Sequence, residues 1–159
     1  MLNWISSRRA LLTRGGLVAA AGLTGTVQAA VAAPQSKNIE IFLTFCKAGQ
    51  DRDVDKQMSF IDEDSTYHNM PDAEPVAGRA GIRALLSSYV TTTEVSEIKV
   101  LAYAETSSGL VLNERVDRFR VKGGKWIDCP VMNACEIKDG KIKRWRDYYD
   151  AAFVNKQMV

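Results

Sequence analysis

Residues 109–121 read GLVLNERVDRFRV. Apolar and polar residues alternate here, the period of a β-strand with one face on a core. Side chains two apart share a face, so Val111, Asn113, Arg115, Asp117, Phe119 and Val121 point the same way. That face begins and ends apolar but carries an arginine and an aspartate in its middle. A surface strand with one loosely patterned face would explain this. So would a charged pair at the floor of a pocket.

The same period extends through the C-terminal half. Strands are expected near residues 97–105, 109–121, 125–138 and 141–149. Between them stand Ser107-Ser108-Gly109, Gly123-Gly124 and Asp139-Gly140, each a hairpin signal. Upstream the period is helical. In Ser36–Ala48, Ile39, Phe42, Leu43 and Cys46 fall at helical spacing before Gly49. Asp53 can cap a second helix, DVDKQMSFI, with Val54, Met58 and Ile61 as its apolar stripe. Asp62-Glu63-Asp64 then makes a polar break before a short strand over Ser65–Asn69. MPDAEPVAGR (70–79) holds two prolines and a glycine and is expected to be a loop. A third helix, roughly Ala80 to Val90, turns Ile82, Leu85, Leu86 and Tyr89 inward. Helices followed by a meander specify the α+β class. The expected form is a cone-shaped, curved antiparallel or mixed sheet packed on N-terminal helices.

The last strand, KIKRWRDYYD (141–150), places Lys143, Trp145, Asp147 and Tyr149 on one face. Asp147 thus lies between two aromatic side chains, as Asp117 lies near Phe119. Two carboxylates and one arginine become candidates for a single cavity. Two carboxylates in a low-dielectric pocket do not both ionise easily, and an arginine between them orients both. One acid and one base at the same pH is the arrangement that push–pull proton chemistry needs. A buried structural Asp–Arg–Asp cluster is the alternative reading of the same pattern.

The chain of 159 residues is long enough for one domain with its own core. Residues 1–33 are expected to be a secretory signal peptide, with a basic start, an apolar Gly/Ala-rich middle and small residues before Pro34. Ala30 and Ala32 flank Val31, so cleavage is expected after Ala32, or after Ala29. Ser7-Arg8-Arg9-Ala10-Leu11-Leu12 resembles a twin-arginine export signal, implying a periplasmic or extracellular destination. Residues 34–159 form the single mature domain. The leader holds three arginines (8, 9 and 14) and no acid, so the 21 basic residues fall to 18 against 19 acidic ones. The mature charge is −1, which removes the main support for nucleic-acid binding. Three cysteines (46, 129, 135), no CxxC and one histidine are poor material for a zinc site, and no metal is expected. Cys129 and Cys135 would lie ~20 Å apart along one extended strand, too far to bridge, and are expected as small core residues.

TYHNMP (66–71), NERVDRF (113–119) and RWRDYYD (144–150), in that order, resemble the limonene-1,2-epoxide hydrolase family. The likeness spans roughly Ile39 to Ala152. It implies the small cone-shaped NTF2-like fold also found in ketosteroid isomerases and polyketide cyclases. It implies one-step opening of an epoxide by water, without covalent enzyme intermediate or cofactor. Carried over by position, Asp117 is the general acid, Arg115 the bridge between carboxylates, and Asp147 the general base. Tyr67 and Asn69, two apart on one strand face, would hold the water. Phe119, Val131, Trp145 and Tyr149 are expected as substrate-binding wall. Asn133, on the Cys129/Val131/Cys135 face, would bind a polar group of the substrate, a departure from a purely hydrocarbon ligand.

The expected partners are therefore an apolar epoxide and water, with no nucleic acid and no stable membrane span; a homodimer is left open. An isomerase or cyclase of the same fold is one competing reading. A non-catalytic binder of small molecules is the other, against which three buried charges argue. His68 should point away from the pocket, and Arg144 and Arg146 should pair with nearby acids on the opposite face.

Overall fold

The computed structural model describes residues 35–71 and 73–158; the expected leader lies outside them. Ser36 opens helix α1 (Lys37–Gln50), its hydroxyl accepting from the Ile39 amide at 3.2 Å. That bond satisfies one of the helix's orphan N–H groups. Ile41, Phe42, Phe45 and Cys46 are buried, with Ile39 and Leu43 packed at the edge of the same cluster. Asp53 caps α2 (Val54–Met58), accepting from the Lys56 amide at 2.8 Å.

The helix expected to run to Ile61 ends at Met58, and Ile61 instead opens strand β1 (Ile61–Met70). Asp62-Glu63-Asp64 is therefore not a break. These residues lie inside the strand at a register irregularity between Ile61 and Thr66. Lys143 bonds Asp62 at 2.7 Å and Asp64 at 2.8 Å, so the acids have a cation beside them. The buried Ser65 hydroxyl donates to the Ile142 carbonyl at 2.6 Å and anchors the irregularity. The following loop contains a two-residue strand, β2 (Val76–Ala77), and helix α3 spans Gly78–Thr92.

Four long strands complete the sheet: β3 (Thr93–Glu105), β4 (Leu110–Val121), β5 (Trp126–Lys138) and β6 (Lys141–Tyr148). They are joined as consecutive antiparallel hairpins, in the order β2-β1-β6-β5-β4-β3. The β5–β6 turn has Asp139 at φ 53° and Gly140 at φ 78°, the left-handed pair that a two-residue hairpin requires. β1 joins β6 in parallel, pairing Tyr67 with Trp145 and Asn69 with Asp147. A final helix, α4 (Ala151–Gln157), was not expected from the apolar pattern. Asp150 caps it at 2.9 Å from the Phe153 amide, and Val154 packs with Ile127, Cys129 and Val131.

The main core fills the space between helices and sheet. Trp145 packs at a tilt against Phe45, with a ring distance of 4.7 Å, and stacks against Phe42 and Tyr67 at 6.0 Å each. Fully burying each such ring is worth about 1.5–3 kcal/mol. Ile142 joins this core because the β5–β6 ladder shifts between Glu136 and Ile137. The shift sends Lys143 to its carboxylates at the surface, so it does not share the face of Trp145 and Asp147. All three cysteines are buried and unbridged. Among the described residues no helix is long and apolar enough to cross a membrane.

Candidate active site

β4 delivers Arg115 and Asp117, β6 delivers Trp145 and Asp147, and β1 delivers Tyr67 and Asn69. They meet at a cavity of about 410 Å³ between the sheet and the helices, within the usual ~300–1,000 Å³ of small-molecule pockets. Arg115 Nε donates to Asp117 Oδ1 at 2.8 Å, while Arg115 Nη2 donates to Asp147 Oδ1 at 2.8 Å. One guanidinium thus spans both carboxylates through different nitrogens of its planar fork, which a point-charge ammonium cannot do.

The two carboxylates differ in their surroundings. Asp147 is 4 % exposed and receives four donors. Oδ1 accepts from Arg115 and from Asn133 Nδ2 at 2.8 Å; Oδ2 accepts from Trp145 Nε1 at 2.8 Å and from the Tyr67 hydroxyl at 3.0 Å. Among the described residues Asp117 has only Arg115 as a donor, and its side chain keeps 23 % exposure, which opens into the cavity. Burial, partly offset by Arg115 and reinforced by Asp147, raises the Asp117 pKa. Arg115 is held cationic by both aspartates despite burial. Burial, with Asp147 beside it, pushes the Tyr67 phenol well above its ordinary value, so it stays a donor. The site therefore holds one side chain, Asp117, biased toward protonation, and a second, Asp147, fixed in place by four donors.

Of the expected wall residues, Phe119, Val131, Trp145 and Tyr149 all line the cavity, Trp145 also holding Asp147. Asn69 lines it too, and its side-chain amide engages no protein group among the described residues. Asn133 takes a different place from the substrate-binding one expected of it. It is 2 % exposed and stands behind the triad rather than in the cavity. Its Nδ2 reaches Asp147 and, at 3.0 Å, the Arg146 carbonyl; its Oδ1 accepts from Asn113 Nδ2 at 2.7 Å. Asn113 Oδ1 in turn accepts from Arg115 Nη1 at 3.3 Å. Arg115, Asn113, Asn133 and Asp147 close a ring of hydrogen bonds, with cross-strand pairing of Asn113 to Asn133 and Asn133 to Asp147 beneath it.

The part of this ring played by Asn113 was missed by sequence reasoning. Its one signal was a buried-face amide two residues before Arg115. His68 points away from the cavity and bonds the Ala73 carbonyl at 2.7 Å, while Arg144 and Arg146 pair with Glu136 on the outer face. Cys46 and Cys129 also line the cavity, but burial raises both thiols to about 12, which leaves them protonated. No group of histidines, cysteines and acids able to hold a metal occurs among the described residues.

Comparison with known proteins agrees with this architecture. The limonene-1,2-epoxide hydrolase catalytic domain matches residues 36–159. An LEH-like epoxide hydrolase from M. tuberculosis has 25% identity and a TM-score of 0.68, covering 77% of this chain and 89% of its own. A putative SnoaL-like polyketide cyclase from Shewanella denitrificans has 17% identity and a TM-score of 0.69, over 77% and 97%. A putative isomerase from Bacillus subtilis has 20% identity and a TM-score of 0.69, over 76% and 91%. The last two share the fold, which by itself carries many chemistries.

Proposed function

The chain belongs to the limonene-1,2-epoxide hydrolase catalytic-domain family, and from that footing we propose that it hydrolyses an epoxide to a vicinal diol in one step. The observation that carries this reading is Arg115 spanning two carboxylates, with Asp117 biased toward protonation and Asp147 held by four donors. Asp117, protonated, donates to the oxirane oxygen as its C–O bond breaks. Asp147 takes a proton from the water whose oxygen forms the new C–O bond. The proton on Asp147 then returns to Asp117 through solvent, and the cycle closes with no enzyme atom in the product.

Asp147 already has four donors, so the attacking water needs one of them to yield. Arg115, Asn133 and Trp145 donate from planar groups fixed by packing. The Tyr67 hydroxyl is the longest of the four contacts and rotates about one bond. Water enters between Tyr67 and Asp147, accepting from the phenol and donating to Oδ2. Asn69 Oδ1 accepts the second water proton, leaving one lone pair aimed at the oxirane carbon.

A single turnover in oxygen-18 water tests the scheme. Labelled oxygen should enter the first diol formed, and Asp147→Asn should lower turnover by about 10²-fold or more. Unlabelled first product would instead require an aspartate nucleophile. Lack of diol from any terpene, styrene or fatty epoxide would turn the assignment to an isomerase or cyclase of this fold. We also propose export through the twin-arginine leader. Changing Arg8 and Arg9 together to lysine should abolish export, and unimpaired export would refute that route.

A further inference from the structure

Gln57 is the one carboxamide that α2 contributes to the cavity. It is 6 % exposed, so its polar end is withdrawn from bulk water. A glutamine offers two N–H donors and two acceptor lone pairs. Among the described residues, the side chain makes one bond, Nε2 to the Phe45 carbonyl at 3.5 Å, the outer limit of such a contact. The remaining donor and the whole of Oε1 have only the cavity to meet. A buried amide this poorly satisfied is costly to keep unless something polar enters beside it.

The backbone makes room for this amide. Gly49, another cavity residue, approaches so closely that a Cβ there would lie 3.0 Å from Gln57 Nε2 and 3.2 Å from Ile98 Cδ1. A side chain at position 49 would press on the carboxamide and oblige it to shift. Phe45, Ile98 and Leu86 line the same cavity, and their side chains offer a ligand no competing hydrogen bond. The triad lies on the sheet and Gln57 on the helical wall, so one ligand can meet both.

We infer that Gln57 is a specificity residue that reads a neutral hydroxyl or carbonyl on the body of the substrate. The substrate class is then an epoxide carrying a second, uncharged oxygen function, not a bare hydrocarbon epoxide. A hydroxyl suits the amide best, because it can accept from Nε2 and donate to Oε1 together. An anionic end group is disfavoured, since Gln57 is neutral and Phe45, Ile98 and Leu86 of the same cavity offer no cation to replace its lost hydration. The epoxide half of this inference rests on the hydrolase reading above; the oxygen-reading half does not.

The test uses terminal epoxides of graded chain length, each with and without a hydroxyl on the far carbon. Wild-type protein should favour the best hydroxylated member over its bare counterpart by about tenfold or more in kcat/KM, carried mostly by KM. Gln57→Met, close in shape but apolar, should bring the two series together. Gln57→Asn, whose amide is withdrawn by one methylene, should retain part of the preference. Equal wild-type use of both series would overturn the inference, whatever the variants do. So would a Gln57→Met enzyme that loses both series equally, which is the result of a merely structural role.

Binding separates the two readings. Calorimetry with alkanols and the matching alkanes, which carry no oxirane, needs no turnover. Tighter alcohol binding that Gln57→Met removes would support the Gln57 site even if no epoxide were hydrolysed. Equal binding of alcohol and alkane would overturn it even if every epoxide were a substrate.

Discussion

Replacing Asn133 with alanine should be far more damaging than a residue outside the cavity would suggest. The change deletes a 2.8 Å donor to the Asp147 carboxylate and strands Asn113 Nδ2, which now bonds Asn133 at 2.7 Å. A hydrogen bond to a charged partner is worth about 1.5–3 kcal/mol, and a stranded buried donor costs about 1–3 kcal/mol. Together Asn133→Ala should lose about 2.5–6 kcal/mol, a fall of roughly 10–25 °C in Tm for a domain of this size. Asn113→Ala forfeits only the long 3.3 Å contact with Arg115 and strands Asn133 Oδ1, so about 1–3 kcal/mol is expected. Once both are alanine, neither amide is left stranded. The double variant should therefore be less destabilised than the sum of the singles by about 1–2 kcal/mol. Urea unfolding followed by circular dichroism measures all four corners of the cycle. Additivity within about 0.5 kcal/mol, or a loss below about 1 kcal/mol in Asn133→Ala, would refute the ring as a cooperative unit.

Further outcomes follow from the same geometry. Asp117→Asn should lower diol formation by about 10²-fold. Its effect on stability should be opposite to the usual loss of a buried ion pair. The folded pKa of Asp117 is raised, so its contribution is full below the unfolded carboxylate value and is lost as pH rises through the folded one. Above that window the variant should be at least as stable as wild type, and a large drop in Tm there would contradict the assignment. Arg115→Lys should fail in turnover because an ammonium cannot hold Asp117 and Asp147 together. Tyr67→Phe should lose less, since Asn69 and Asp147 still hold the water; steady-state rates on one epoxide rank the two variants. Cys46 and Cys129, with thiols near 12, should resist iodoacetamide at pH 8 in the native protein and react once it is unfolded, as mass spectrometry would read.

Much of the triad was legible along the chain because strand geometry is local. A period of two placed Arg115 with Asp117 and Trp145 with Asp147, whatever their neighbours proved to be. The glycines at 109, 123 and 140 mark turns where the backbone takes positive φ, and these set the meander. The capping residue Asp53 did the same for the start of α2.

Which strands lie side by side is a different kind of fact. Nothing within residues 61–70 says that they run parallel to β6, yet that pairing alone puts Tyr67 and Asn69 beside Asp147. Bulges are equally nonlocal: the shifts near Ile61 and Glu136 carried Ile142 into the core and Lys143 out to Asp62 and Asp64. α4 escaped notice because its signal is a cap and one buried valine, too little for a periodic stripe. Asn133 was placed on the correct face but not at the correct depth. Facing is decided by alternation within a strand; depth is decided by what packs across it, here Asn113 on β4 and Asp147 on β6. Gln57 escaped for the same reason, since its polarity acquires meaning only where α2 closes over a cavity built by the sheet.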